Sequence, residues 1–316
     1  MLTTLSTADR TMLFAGGYVR VEEETARLRW NHERHPDYGG KFDDIRSLCD
    51  NGNLVVYRPQ SSKVDPVVLL WEFPSDFLRC FRQVFILTYL FHGSPMRSYL
   101  EAEGLSFNMK AVQNSTLLSW DAVDERKIKE DIRRLVSVYE GPMNTIGNQV
   151  SRSNPLSSSW FDRAGERDLK RLRQATTKFF ERVSKTPSRQ NGWTTFSKAR
   201  KALQGKGYTR GFIPVNTKAT NEHRDKKAMA YLVNVFHQPV IKGFFEDRGI
   251  PVYEDVHALS EMVQWVWRSG IRDREATHIF IPSERMRRLF KEWLWADDTA
   301  ALIARVQRVA DVPMAA

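Results

Sequence analysis

Residues 261–272 read Glu261-Met-Val-Gln264-Trp-Val-Trp267-Arg268-Ser-Gly-Ile-Arg272, and the apolar run His278-Ile-Phe-Ile-Pro282 follows. Apolar side chains in and just before the stretch recur at helical spacing, which predicts a helix with one packed face. They are Leu259, Met262, Val263 and Val266. The later apolar run has the length of a strand. A helix leading into a short apolar strand is typical of an α/β protein.

The other face of the predicted helix carries Gln264, Arg268 and Arg272, which step by four residues. Arginine is always charged and forks onto phosphate oxygens, so this row suits a nucleotide γ-phosphate or a nucleic-acid backbone. We expect Arg268 to be the more exposed arginine, facing a cleft. A solvated basic face beside a core face fits the same spacing.

Composition indicates a globular protein with one large domain or two ordinary ones. The chain has 316 residues, of which 41% are hydrophobic and 27% charged. No apolar run reaches the ~18 residues of a transmembrane helix, and the first residues do not resemble a secretory signal. We therefore expect a cytoplasmic protein without a membrane partner. Cys49 and Cys80 are expected to be buried free thiols, and no metal site is expected.

The charge is uneven along the chain. Lys and Arg number 48 against 38 Asp and Glu, a net charge of +10, and residues 163–210 are especially basic. Aromatic side chains interleave with the cations there, a pattern typical of single-stranded nucleic-acid binding. These aromatics are Trp193, Phe196, Tyr208 and Phe212. The contact candidates are Lys198, Arg200, Lys201, Lys206 and Arg210. Each could instead be a solvated helix charge.

Further along the chain, apolar runs and helical periodicity alternate. The predicted strands are 54–57, 67–71, 84–88, 211–215 and 279–281. The main predicted helices are 124–138, 168–183, 193–203, 226–236, 240–248 and 283–295. This alternation predicts an α/β fold with a parallel sheet.

Motifs for nucleotide hydrolysis are missing. The sequence has no Gly-x-x-x-x-Gly-Lys-Ser/Thr loop to hold phosphates, and no predicted strand ends in an acidic pair that would hold magnesium. We expect no ATPase activity from this chain alone, so whether it acts as an enzyme stays open.

Several segments together resemble a known family. They are 84–94, 192–196, 205–222, 230–234 and 258–272. They resemble the helicase-like proteins of phages and mobile elements, a branch of the superfamily-two DEAD/DEAH-type helicases. The resemblance implies RecA-like lobes built on parallel sheets. It implies a partial or degenerate first lobe at 1–115, a basic helical and linker insertion at 116–210, and a second lobe at 211–316.

The resemblance also implies roles for particular residues. Gln264, Arg268 and Arg272 match the arginine-finger motif, although Trp267 replaces its usual glycine and the second arginine falls one residue late. Lys218, Thr220 and Asn221 match a motif that contacts the nucleic-acid backbone. The family's phosphate loop and magnesium-binding motif have no counterpart here. The resemblance therefore implies no cofactor in isolation, and ATP with magnesium only if a partner supplies the ATP-binding half.

Several functions fit these observations. The chain could be a nucleic-acid-binding, helicase-like protein that acts with a partner, or a degenerate paralogue kept as a binding module. It could be a phage-encoded inhibitor, decoy or adaptor that binds a host protein through a helicase-derived surface. It could also be an enzyme with unrecognised chemistry. The first alternative predicts an exposed apolar surface near 1–30 and 54–90 where a partner would pack. DNA or RNA preference, polarity and partner are left open.

Overall fold

The computed structural model describes residues 2–3, 5–59, 68–113, 115–120, 123–149, 153–217 and 222–310. The chain divides into two compact units. The first unit comprises residues 1–87, 98–105 and 238–251, and the second comprises 88–97, 106–237 and 252–316.

Strands and helices alternate along much of the chain. The strands are β1 (Leu2–Thr3), β2 (Val19–Val21), β3 (Leu28–Trp30), β4 (Leu54–Tyr57), β5 (Val68–Trp71), β6 (Lys110–Gln113), β7 (Thr116–Ser119), β8 (Val136–Val138), β9 (Asn191–Thr194), β10 (Ala228–Tyr231) and β11 (Thr277–Phe280). The helices are α1 (Thr7–Ala15), α2 (Asp43–Asp50), α3 (Ser75–Arg79), α4 (Pro95–Ala102), α5 (Glu125–Leu135), α6 (Ser158–Arg163), α7 (Glu166–Lys178), α8 (Arg200–Leu203), α9 (Pro239–Glu246), α10 (Glu254–Val266), α11 (Glu284–Trp295) and α12 (Thr299–Ala310).

The first unit is built on antiparallel pairs. Strands β1, β5 and β4 form one antiparallel sheet, and β2 and β3 form a hairpin. Their core includes Leu13, Leu28, Phe42 and Leu69, all at most 2% exposed. The parallel sheet expected of a first RecA-like lobe is therefore not seen among the described residues of 1–115. The connection from β4 to β5 is shorter than the dozen or more residues that a parallel crossover needs.

The strand predicted at 84–88 is wrong. Residues 83–88 form no regular element, and Leu87 is 89% exposed. A continuous apolar run is typical of a strand covered on both faces. Within the first unit, however, no described strand pairs with residues 84–87. Cys80 is likewise exposed rather than buried, whereas Cys49 is buried and its pKa is raised to about 12 by that burial.

The second unit contains the predicted parallel sheet. It has four strands in the order β8-β11-β10-β9. Strand β10 is central, with Ala228 opposite both Asn191 and His278. Side chains of β10 alternate between two cores. Met229 and Tyr231 pack with α10 and α11, whereas Ala228 and Ala230 pack with residues of α7 and α8. Helices thus cover both faces, as parallel sheets require.

Several elements of the second unit differ from those predicted from the sequence. The predicted helices 226–236 and 193–203 begin as the fully buried strands β10 and β9, and the segment 211–215 contributes only an isolated bridge at Phe212. Strands β8 and β9 both come from 116–210, which the resemblance assigns to an insertion. The lobe boundaries themselves stay a prediction. Helices near 168–183, 240–248 and 283–295 and the strand near 279–281 are confirmed.

Two further observations concern the described residues only. Among them, no helix is long and apolar enough to cross a membrane. They also hold no group of three or more His, Cys, Asp or Glu side chains arranged for a metal ion.

The packing of Gly211 against β9 gives a test of the sheet. A Cβ atom at Gly211 would lie 1.8 Å from the backbone oxygen of Asn191, so backbone would have to move. We expect Gly211→Ala to lower the free energy of unfolding by about 1–3 kcal/mol. Gly39→Ala is the matched control, because nothing lies within 4 Å of its added Cβ. Urea unfolding of both variants checks this, and equal stabilities would contradict the packing.

Candidate functional site

Several contacts within the chain cross the carboxyl edge of the parallel sheet, where ligands usually bind in such folds. Asn234 follows β10 and donates to the carbonyl of Pro155 at 3.3 Å. Arg285 of α11 donates to the side-chain oxygen of Asn234 at 2.9 Å and to Asp255 at 2.7 Å. The backbone of Gly147 lies against that of Pro282, leaving no space for a Cβ.

Basic segments converge where the parallel strands begin, which we call the amino edge (residues 189–191, 206–211, 222–227 and 268–275). The side chain of Asn191 donates to the carbonyl of Gly207 at 2.8 Å, which holds the segment carrying Lys206 and Arg210. The Lys226 ammonium donates to the carbonyl of Arg189 at 2.5 Å. The amide of Gly270 donates to the carbonyl of Lys226 at 2.9 Å, which brings in the 268–275 segment.

The amino edge carries an excess of positive charge. Its cations are Arg189, Lys206, Arg210, Arg224, Lys226, Lys227, Arg268, Arg272 and Arg274, and its carboxylates are Glu222, Asp225, Asp273 and Glu275. Three of these carboxylates form ion pairs with Lys226, Arg224 and Lys227. Such a surface favours an anionic ligand over a metal ion.

Arg268 is the most buried arginine of the amino edge, at 7% exposure. Its guanidinium donates to the carbonyl of Thr217, whereas its Nε is buried and forms no hydrogen bond with any described residue. A buried donor without a partner is costly and is rare in folded proteins. Among the described residues, the buried Nε of Arg268 therefore has no acceptor.

The expected row of Gln264, Arg268 and Arg272 on one helix is only partly correct. Helix α10 ends at Val266, and Ser269 begins a short 3-10 helix, Gly270–Asp273, by accepting a hydrogen bond from Ile271. Gln264 donates to Ser260 at 2.9 Å inside α10. Arg272 is exposed and Arg268 is buried, the reverse of the expected order. The extended backbone of Ser269 separates this 3-10 helix from α10, a break that helical spacing does not predict.

Two pKa values report the local electrostatics. Burial lowers the pKa of Arg268, and the nearby charge of Arg272 lowers it further, while Glu261 acts in the opposite direction. Burial also lowers the pKa of His223, with a further contribution from Lys226, opposed by Glu222. Both shifts indicate a partly desolvated site of positive potential.

The predicted nucleic-acid contacts fall into separate groups. Lys206 and Arg210 lie on the amino edge and are exposed. Lys198 forms an ion pair with Asp162 at 2.6 Å. The Arg200 guanidinium lies 4.3 Å from the ring centroid of Phe212. Lys201 is exposed on α8. Lys218, Thr220 and Asn221 lie outside the described residues.

Of the aromatic side chains expected to stack on bases, two are structural. Trp193 is fully buried and Tyr208 is 1% exposed, and both belong to the core between the sheet and α7. Phe196 and Phe212 are half-buried. The stacking role predicted for Trp193 and Tyr208 is therefore wrong, because Trp193 is on the buried strand β9 and Tyr208 packs against Trp193 and Phe180.

Sequence reasoning missed His223, Arg224, Lys226 and Lys227. The signal was present, since a charged run directly precedes the apolar residues 228–233. Reading those apolar residues as a buried strand would have placed the charges at its start. The helical interpretation of 226–236 concealed this.

Comparison with known proteins identifies the family. Residues 130–294 match the model described as the YonV C-terminal Rossmann-like domain, and residues 2–71 match the YonV middle domain. The chain is also 35% identical over 298 residues to the SPbeta prophage-derived uncharacterized protein YonV of Bacillus subtilis (strain 168). That alignment covers 92% of this chain and 70% of the relative.

The chain belongs to the YonV family. The Rossmann-like match contains the whole four-stranded sheet and the 268–275 segment. The prophage source of the relative agrees with the phage or mobile-element resemblance, and neither family description names a helicase. No solved structure was found to match the chain.

The different settings of Arg268 and Arg272 give a second test. Arg268→Ala removes a hydrogen bond from the carbonyl of Thr217, so we expect a loss of about 1–3 kcal/mol in the free energy of unfolding. Arg272→Ala changes an exposed side chain and should cost under ~0.5 kcal/mol. Paired chemical denaturation measures both. A larger loss for Arg272→Ala than for Arg268→Ala would contradict the placement of the two side chains.

Proposed function

We propose that this YonV-family chain is a helicase-like nucleic-acid-binding module whose amino edge binds phosphate groups. The observation that carries the proposal is Arg268, a buried arginine whose Nε has no acceptor among the described residues and which lies beside the charge of Arg272. A phosphate group bound beside Arg268 and Arg272 would offset the repulsion between the two guanidiniums.

The surrounding surface supports a polyanion rather than an isolated phosphate. Lys206 and Arg210 lie on the same edge as Lys226, because Gly207 is bonded to Asn191 of β9 and Lys226 to Arg189 just before it. Successive phosphates of a strand could therefore be contacted from 206–211 towards 268–275. Binding through phosphates is strong at low salt and largely independent of base sequence.

The helicase-like part of the proposal assigns Arg272 and Arg268 to the phosphates of a nucleotide held by a partner. Support comes from the Rossmann-like match and from the joint location of both arginines on one edge. The sequence has no phosphate loop of its own, so ATP and magnesium would be held by the partner. In this arrangement Gln264 positions the end of α10 through its bond to Ser260.

An adaptor or inhibitor is the second candidate function. Several large apolar side chains at 77–87 are exposed, and this surface suits a host protein as well as the partner that the first alternative predicts. Binding of a host protein without salt-dependent nucleic-acid binding would favour this candidate.

Removing two amino-edge cations should weaken nucleic-acid binding. We expect Lys206→Ala/Arg210→Ala to lower affinity for a fluorescent poly(dT) strand of ~16 nucleotides and to reduce the slope of log K against log salt by about 1–2. Arg126→Ala/Lys127→Ala removes the same charge from exposed positions at the start of α5 and is the matched control. Fluorescence anisotropy across a salt series gives both quantities.

Equal losses of affinity in the two double variants would indicate a general effect of charge. They would contradict specific binding at the amino edge. Absence of binding by the unaltered chain at ~50 mM salt would remove the nucleic-acid proposal.

His223 gives an independent test through pH. Because its folded pKa is lowered, the folded chain releases this proton more readily than the unfolded chain, whose His pKa is about 6.5. The associated stability is present above that pKa and is lost as pH falls. A bound phosphate adds negative charge, so it should raise the pKa of His223 and be bound more tightly at lower pH.

Proton NMR titration of the His223 ring, with and without the oligonucleotide, measures this shift. His223→Gln identifies the resonance and should reduce the pH dependence of affinity. An unchanged pKa in the complex would place the phosphates elsewhere.

A further inference from the structure

Exposed apolar side chains concentrate in one segment of the first unit. Val84, Phe85, Ile86 and Leu87 are 46%, 66%, 41% and 89% exposed. Every side chain of this run is apolar, so both sides of the backbone expose apolar surface to water. Folded proteins seldom expose contiguous apolar residues of this kind without a binding partner.

The backbone of the same run is also unpaired. Within the described residues, 84–87 form no backbone hydrogen bond and belong to no sheet. Unpaired N–H and C=O groups on an exposed segment form a ready template for strand addition. The run therefore needs both hydrogen-bond partners and cover for two faces.

A series of aromatic side chains in mutual contact precedes the run in sequence. Phe73 contacts Trp71 and Phe77 with ring centroids 6.2 and 5.4 Å apart, and Phe77 contacts Phe81 at 5.1 Å. Phe77 and Phe81 are each 52% exposed. These ring contacts extend from Trp71 to Phe81, three residues before the unpaired run.

We propose that Val84–Leu87 becomes a strand buried on both faces when it pairs with a domain equivalent to the part of YonV outside the match. The aligned region covers 70% of that relative, and the first unit here matches a domain described as the middle one. The remaining part of the relative is long enough to form a domain. A continuous apolar strand is the pattern of a parallel sheet covered by helices.

This inference deepens the proposed function by naming the surface that receives the partner. The two can fail separately, because docking through apolar side chains persists in high salt, whereas phosphate binding is weakened. Docking is therefore assayed at ~0.5 M salt and without nucleic acid.

The test is co-expression of this full chain, carrying an affinity tag, with the part of B. subtilis YonV that lies outside the match. We expect the two to co-purify in a one-to-one complex. Leu87→Asp and Phe85→Ser should each reduce the recovered complex at least tenfold. Val112→Asp, which changes a 67% exposed apolar residue of β6, should leave it unchanged.

Thermal melts of the three variants alone should match that of the unaltered chain, since all three side chains are exposed. Failure of the unaltered chain to form the complex, or a complex insensitive to both Leu87→Asp and Phe85→Ser, would overturn the proposal. Lys206→Ala/Arg210→Ala should form the complex normally, which separates docking from nucleic-acid binding.

Discussion

Strand β10 lies between β9 and β11 with all four side chains fully buried, and the candidate site depends on that placement. The register that sets Ala228 opposite Asn191 and His278 also aligns the residues preceding each strand. Lys226 consequently reaches the carbonyl of Arg189, and its own carbonyl accepts from Gly270. A shift of one residue would turn every side chain of β10 to the opposite core. Burial of an apolar strand thus positions the charges at its start.

The sequence predicts the α/β class and several elements because their patterns are local. Amphipathic helices such as α7 and α11 have one apolar face, which periodicity detects. Strand β10 has two covered faces, so its continuous apolar residues fit a helix or a strand equally well. The run at 84–87 has the same pattern and stays exposed. Composition alone does not distinguish an apolar run that pairs with other strands from one that stays unpaired.

The sequence predicts the residue types of the candidate site but not which of them are exposed. The spacing of Arg268 and Arg272 suits phosphate chemistry, but α10 ends at Val266 and Ser269 begins a separate 3-10 helix, so the two arginines have opposite exposures. Trp193 and Tyr208 have the composition of a stacking surface and belong to the core instead. Exposure follows from tertiary packing, which residue type and spacing do not specify. Membership of the YonV family fixes the Rossmann-like sheet and leaves its ligand to experiment.

The central claim is that phosphates of a nucleic-acid strand bind at the amino edge. Hydrogen–deuterium exchange of the full chain, with and without a single-stranded oligonucleotide, tests it without altering any residue. The account predicts slowed exchange of backbone amides in 206–217, 222–227 and 268–275, and little change around Asn234 and Arg285 on the carboxyl edge. Protection confined to the carboxyl edge, or to α5 and the hairpin of β6 and β7, would contradict it.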